Sequence, residues 1–152
     1  MIFDLLIAML WSVSPLGEAK VGIPYALLHG VNIYVAFLFC FAANVLVFPI
    51  MTFFLDVVNR YLFKWYYYKK SAIFVARRAK KGAGKNVEKY GFWGLMIFVL
   101  IPLPGTGVYA GTLAAYLFGI DRKRAFLANT IGIFFSCLII WATTIAAMKG
   151  FK

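Results

Sequence analysis

The chain has 152 residues, of which 64% are hydrophobic and 14% charged, with a mean hydropathy of +0.86. Soluble domains average roughly 45–50% apolar and about 25% charged, so a water-soluble globule is excluded, as is a disordered chain. The 16 Lys and Arg against 5 Asp and Glu leave a net charge of +11. On so apolar a chain that excess points to anionic lipid head groups rather than to nucleic acid.

Four uncharged apolar stretches follow one another: 5–17, 21–55, 90–120 and 125–148. A full helical crossing needs about 20 residues, and the first stretch is too short for one. It also lacks the basic start of a secretory signal, since Met1-Ile2-Phe3-Asp4 carries no Lys or Arg. Ser14-Pro15-Leu16-Gly17-Glu18-Ala19-Lys20 follows it, and Pro102-Leu103-Pro104-Gly105-Thr106-Gly107 interrupts the third stretch in the same way. Proline removes an amide and clashes with the preceding turn, and glycine lowers helix propensity, so each cluster ends a helix. Half-length helices on both sides of each break predict two re-entrant hairpins. Backbone broken at that depth is tolerated only when buried in protein or lining a cavity.

The two breaks belong to an internal repeat. Shifted by 89 positions, residues 15–38 fall on 104–127 with 8 identities in 24, among them Pro15 on Pro104, Gly22 on Gly111, Gly30 on Gly119 and Ala36-Phe37-Leu38 on Ala125-Phe126-Leu127. The repeating unit is a hairpin followed by one full span. Repeat one covers 1–58, a basic amphipathic linker 59–89, and repeat two 90–152.

The linker mixes Lys69, Lys70, Arg77 and Arg78 with aromatics such as Trp65 to Tyr68. That pattern predicts an interfacial helix whose cations contact lipid head groups. The positive-inside rule places it in the cytoplasm. If 5–29 and 90–119 are re-entrant, Arg122-Lys123-Arg124 joins it there, and that side collects 13 of 16 basic residues. Both termini then face out. The predicted fold is an all-α integral membrane protein of the cell membrane, built from two inverted repeats joined by a cytoplasmic linker.

Glu18 is the first candidate for chemistry, because a carboxylate at membrane depth is costly and usually functional. Burial disfavours its charged form, which is the property proton coupling uses. Lys20 is its natural counter-ion or a neutraliser of an anionic substrate. Ser14 adds a hydroxyl to the same turn. In the second turn, Pro104, Gly105, Thr106 and Gly107 open a half-helix whose free amides suit an anionic group. Gly107 and Gly111 also form a small-residue helix contact that invites a homodimer. Asn44 reads as interhelical glue, and Asp56 with Arg60 as a favourable pair along one helix. Cys40 and Cys137 read as buried small residues. No catalytic set, metal spacing, phosphate loop or cofactor signature is present, so the chain is not read as an enzyme.

The paired motifs from Ser14 to Pro24 and from Pro102 to Ala115 resemble the small multi-drug export protein family of prokaryotes, over nearly the whole chain. That family is similar in turn to the DedA superfamily with its VTT-domain lipid scramblases. The resemblance implies two re-entrant hairpins in inverted repeats and a transport activity, with polyprenyl-phosphate or phospholipid translocation the best supported among relatives. Glu18 corresponds to the acidic residue of the first hairpin and Pro104-Gly105 to the Pro-Gly of the second. Thr106, Val108 and Tyr109 stand where DedA proteins usually carry arginine. The expected function is proton-coupled secondary transport or lipid translocation. Export of lipophilic cationic drugs, a small anion channel and a membrane scaffold are the alternatives.

Overall fold

A computed structural model describes residues 2–62, 66, 70, 90–102 and 107–150. Within them the chain forms six helices and no strand: α1 Ile2–Val13, α2 Glu18–Leu28, α3 Ile33–Leu62, α4 Phe92–Leu100, α5 Val108–Leu117 and α6 Arg122–Gly150. The local signals explain the boundaries. α1 stops before Ser14-Pro15 and α4 before Pro102. α2 and α5 each close on a left-handed glycine, Gly30 (φ 74°) and Gly119 (φ 65°). There Val31 N–H donates to the Ala26 carbonyl at 3.0 Å, and Ile120 N–H to Ala115 at 3.0 Å. This closure satisfies carbonyls that the helix end leaves open. Asn32 then caps α3 by accepting from the backbone of Tyr34 and Val35, and Asp121 caps α6 by accepting from Lys123 and Arg124.

Two helices are long and apolar enough to cross a membrane, Ile33–Tyr61 within α3 and Arg122–Gly150. The other four have 12, 11, 9 and 10 residues, well short of the roughly 20 that a full crossing takes. α3 also continues to Leu62, past the expected start of the linker at 59.

The long helices pack through one stripe each. On α3 it is Ala36, Cys40, Ala43, Asn44, Val47 and Phe48; on α6 it is Ala125, Ala128, Asn129, Gly132, Ile133, Ser136 and Cys137. The spacing is that of one helix face. Contacts between them run in opposite directions along the chain. Phe37 meets Trp141, Phe41 meets Phe134, Phe48 meets Phe126 and Asp56 meets Arg122. α3 and α6 are therefore antiparallel, and the C-terminal end of α3 shares one end of the bundle with the basic start of α6. The Asp56 carboxylate accepts from Arg122 Nη2 at 2.7 Å. This ion pair spans two helices, where the sequence suggested Arg60 along the same helix; closure of the antiparallel pair brings the guanidinium to it.

Buried small residues let the short helices approach. A Cβ on Gly22 would strike Ser12 Oγ and the Ala8 carbonyl, and one on Gly111 would strike Asn129 and Val99. The core is rich in Ala, Val and Cys, while Leu10, Phe53 and Leu38 point outward and are more than half exposed. Bulky apolar residues outside and small residues inside are the packing expected of helices in lipid. The described residues are all-helical and packed as a membrane protein's helices are.

Candidate functional site

The site forms where α2 and α5 begin. Gly17 and Glu18 follow the Pro15 break, and Glu18 opens α2 with a φ of 53°. A left-handed conformation is uncommon for a residue with a Cβ, and such strain collects at functional positions. Glu18 is only 5% exposed. Its Oε2 lies 3.1 Å from Lys20 Nζ, with little of either side chain exposed. The charge of each is therefore compensated where water is scarce, as a buried pair requires.

Gly107, the residue before α5, packs directly on the Glu18 carboxylate. A Cβ built there would overlap the carboxyl group. Next to it, Tyr109 O–H donates to the Val13 carbonyl at the end of α1. The first turn of α5 is thus fastened across the α1–α2 break.

Glu18, Lys20 and Gly107 line a cavity together with Asn44 from α3, Val99 from α4 and Ile133, Ser136, Cys137 and Ile140 from α6. Its volume is about 10 Å³, room for about one water. Asn44 Oδ1 and Ser136 Oγ, on two of the lining residues, are buried with no hydrogen-bond partner among the described residues. A second, larger cavity of about 480 Å³ opens between α3, α5 and the start of α6. Phe48 and Ala115 give it apolar walls, and Asp121, Arg122 and Lys123 line it as well.

Of the candidate residues, the fold brings Glu18, Lys20 and Gly107 into one cluster. Ser14 stays in the turn, where its Oγ accepts from Leu16 N–H at 3.4 Å, and it does not line the cavity. Pro104, Gly105 and Thr106 lie outside the described residues, as do Lys69, Arg77 and Arg78; Lys70 is exposed. His29 is exposed and stacks on Tyr25. Cys40 and Cys137 are buried free thiols. Among the described residues no group of His, Cys, Asp and Glu is placed to hold a metal. Ser136 escaped the sequence reading, since a lone serine in an apolar helix carries no motif. Its signal was positional: it continues the buried stripe through Asn129 and Ile133.

The described residues thus form a helical membrane bundle with a buried ion pair where two short helices begin. The family described as "Putative small multi-drug export protein" matches residues 18–139, and the chain belongs to it. The match starts at Glu18 and takes in the whole cavity except Ile140. No curated protein and no solved structure matches the chain.

Proposed function

We propose that the protein is a proton-coupled secondary transporter built from two inverted repeats, with its site at Glu18, Lys20 and the Gly107 turn. The observation that carries this reading is the buried Glu18–Lys20 pair, packed against Gly107 in a cavity to which both halves contribute. A carboxylate there is expensive for a structural role alone.

Several correspondences support the repeats. α2 runs from 18 to 28 and α5 from 108 to 117, while α3 starts at 33 and α6 at 122. Adding 89 to Ala36, Cys40, Ala43, Asn44, Val47 and Phe48 gives Ala125, Asn129, Gly132, Ile133, Ser136 and Cys137, all six buried. Gly22 packs on Cys40 and Gly111 on Asn129, each 18 residues further on. Gly30 and Gly119, and the caps Asn32 and Asp121, obey the same shift. Corresponding long helices that run antiparallel are what inversion means. α4 and α5 rise only about 14 and 15 Å at 1.5 Å per residue, which suits re-entrant hairpins entering from opposite faces, with the site half-way across. Under the positive-inside rule, the end holding the 59–89 linker and Arg122-Lys123-Arg124 faces the cytoplasm.

The larger cavity suits the substrate's entry. Its size is that of a small-molecule pocket, and its apolar walls with a charged mouth favour an amphipathic molecule, either a lipophilic compound or a lipid with a polar head. The test is flux into vesicles of the purified protein under an imposed pH gradient, with ethidium and a fluorescent phospholipid as probes. Saturable, gradient-dependent movement of one probe, uncoupled from pH by Glu18→Gln, is the expected result. Fluxes equal to empty vesicles for both would leave a scaffold and overturn the proposal.

A further inference from the structure

The cavity beside Glu18 holds more than the ion pair. Asn44 and Ser136 are 3% and 5% exposed, and Asn44 Oδ1 and Ser136 Oγ find no partner among the described residues. A buried polar atom left unpaired is destabilising, and here two such atoms belong to residues of α3 and α6 that line the same water-sized space as Glu18. A charged carboxylate needs donors, and Lys20 supplies one at 3.1 Å. A protonated carboxyl becomes a donor itself and needs acceptors. The amide oxygen of Asn44 accepts only, and the serine hydroxyl accepts as readily as it donates.

We propose that Asn44 and Ser136 are the acceptors that receive the protonated Glu18 carboxyl, directly or through one water held in the cavity. Glu18 then alternates between Lys20 when charged and this pair when neutral. The inference rests on the reading of Glu18 as the proton-carrying group. The proton arrives from solution and binds one carboxylate oxygen. The O–H so formed donates into the cavity, and Lys20 remains an ammonium. On release the proton returns to solution, and the carboxylate takes Lys20 back. Asn44 and Ser136 are positioning residues in this scheme, since neither gains nor loses a proton.

Among the described residues, Lys20 comes from Glu18's own helix, Cys137 on α6 lines the same cavity, and Tyr109 on α5 lies two residues from Gly107. Tyr109 already donates to Val13. α4 contains no titratable residue, nor does α1 from Ile7 to Val13. On α3, Cys40 lies one turn from Asn44 and packs on Gly22.

The test reads protonation and transport separately. Protein reconstituted in bilayers is titrated by infrared spectroscopy, following the carboxyl C=O band that Glu18→Gln removes. Asn44→Leu and Ser136→Ala each take an acceptor from the neutral form, so proton binding should weaken about fivefold for each and on the order of tenfold or more for both. The midpoint therefore moves to lower pH. Ser136→Thr, which keeps the hydroxyl, should restore it. Asn129→Ala, a buried asparagine outside the cavity, should leave it in place. Should Asn44→Leu fail to insert, Ser136→Ala and its threonine rescue decide alone. An unmoved midpoint in the folded acceptor variants overturns the alternation while leaving Glu18-dependent transport intact. Loss of Glu18 dependence in the flux assay removes the underlying reading instead.

Discussion

Gly107 owes its place to the carboxylate it touches. Only a residue without a Cβ leaves room for the Glu18 head group, so Gly107→Ala must push either the turn or the side chain away. Overpacking of this kind costs about 1–3 kcal/mol, and it should also separate Glu18 from Lys20. Thermal unfolding in detergent should register the loss, and in a Glu18→Ala, Lys20→Met background, where the space is vacated and no charge is left unpaired, the same Gly107→Ala change should cost little. A Gly107→Ala protein as stable as the parent would place Glu18 elsewhere. The ion pair itself calls for a double-mutant cycle. Removing one partner of a buried pair costs about 3–5 kcal/mol, whereas removing both costs far less. Lys20→Met and Glu18→Gln should therefore each destabilise, and the double variant should approach the parent. Additive losses would mean that the two charges are satisfied independently.

The six helices differ in how openly the sequence announces them. Pro15 and Pro102 mark ends that the sequence exposes, because proline is poorly accepted inside a helix, whereas Gly30 and Gly119 stood out only as a pair within the repeat. The caps Asn32 and Asp121 escaped the sequence reading, and each is open to a direct check: Asn32→Ala and Asp121→Ala should each destabilise the protein by about 1 kcal/mol, read from thermal unfolding. Additive losses are expected, since each cap serves a different long helix. The identity match ends at Leu38, but the buried positions go on corresponding beyond it. Cys40 stands against Asn129, Asn44 against Ile133 and Val47 against Ser136, yet all six are buried. A comparison of letters loses that correspondence, while the burial pattern keeps it. For the same reason Asn44 and Ser136 do not announce themselves as a pair: each faces an aliphatic counterpart in the other half, and only the antiparallel approach of α3 and α6 joins them. The second turn at 103–106 lies outside the described residues, so its expected role stays where the sequence left it.

At the scale of the molecule, the Asp56–Arg122 pair ties the two basic ends together. Its side chains are 35% and 69% exposed, so its removal should cost no more than about 1 kcal/mol; its value lies in what it says about sidedness. Single cysteines placed at 59 and at 123 should react with a membrane-impermeant maleimide from the same face, and cysteines at the two termini from the opposite face. Labelling of 59 and 123 from opposite faces would restore four plain crossings. The proposed re-entrant arrangement has an electrical consequence. Both α2 and α5 begin at the ion pair, so on that proposal a proton bound by Glu18 has crossed about half of the membrane voltage. A full charge is worth roughly 2.3 kcal/mol per 100 mV, and half of that changes proton affinity about sevenfold. Under the proposed proton coupling, a membrane potential would load the carboxylate from one face and unload it towards the other, even with equal pH on the two sides. A voltage step across a supported bilayer of the protein should draw a brief capacitive current, and Glu18→Gln should abolish it.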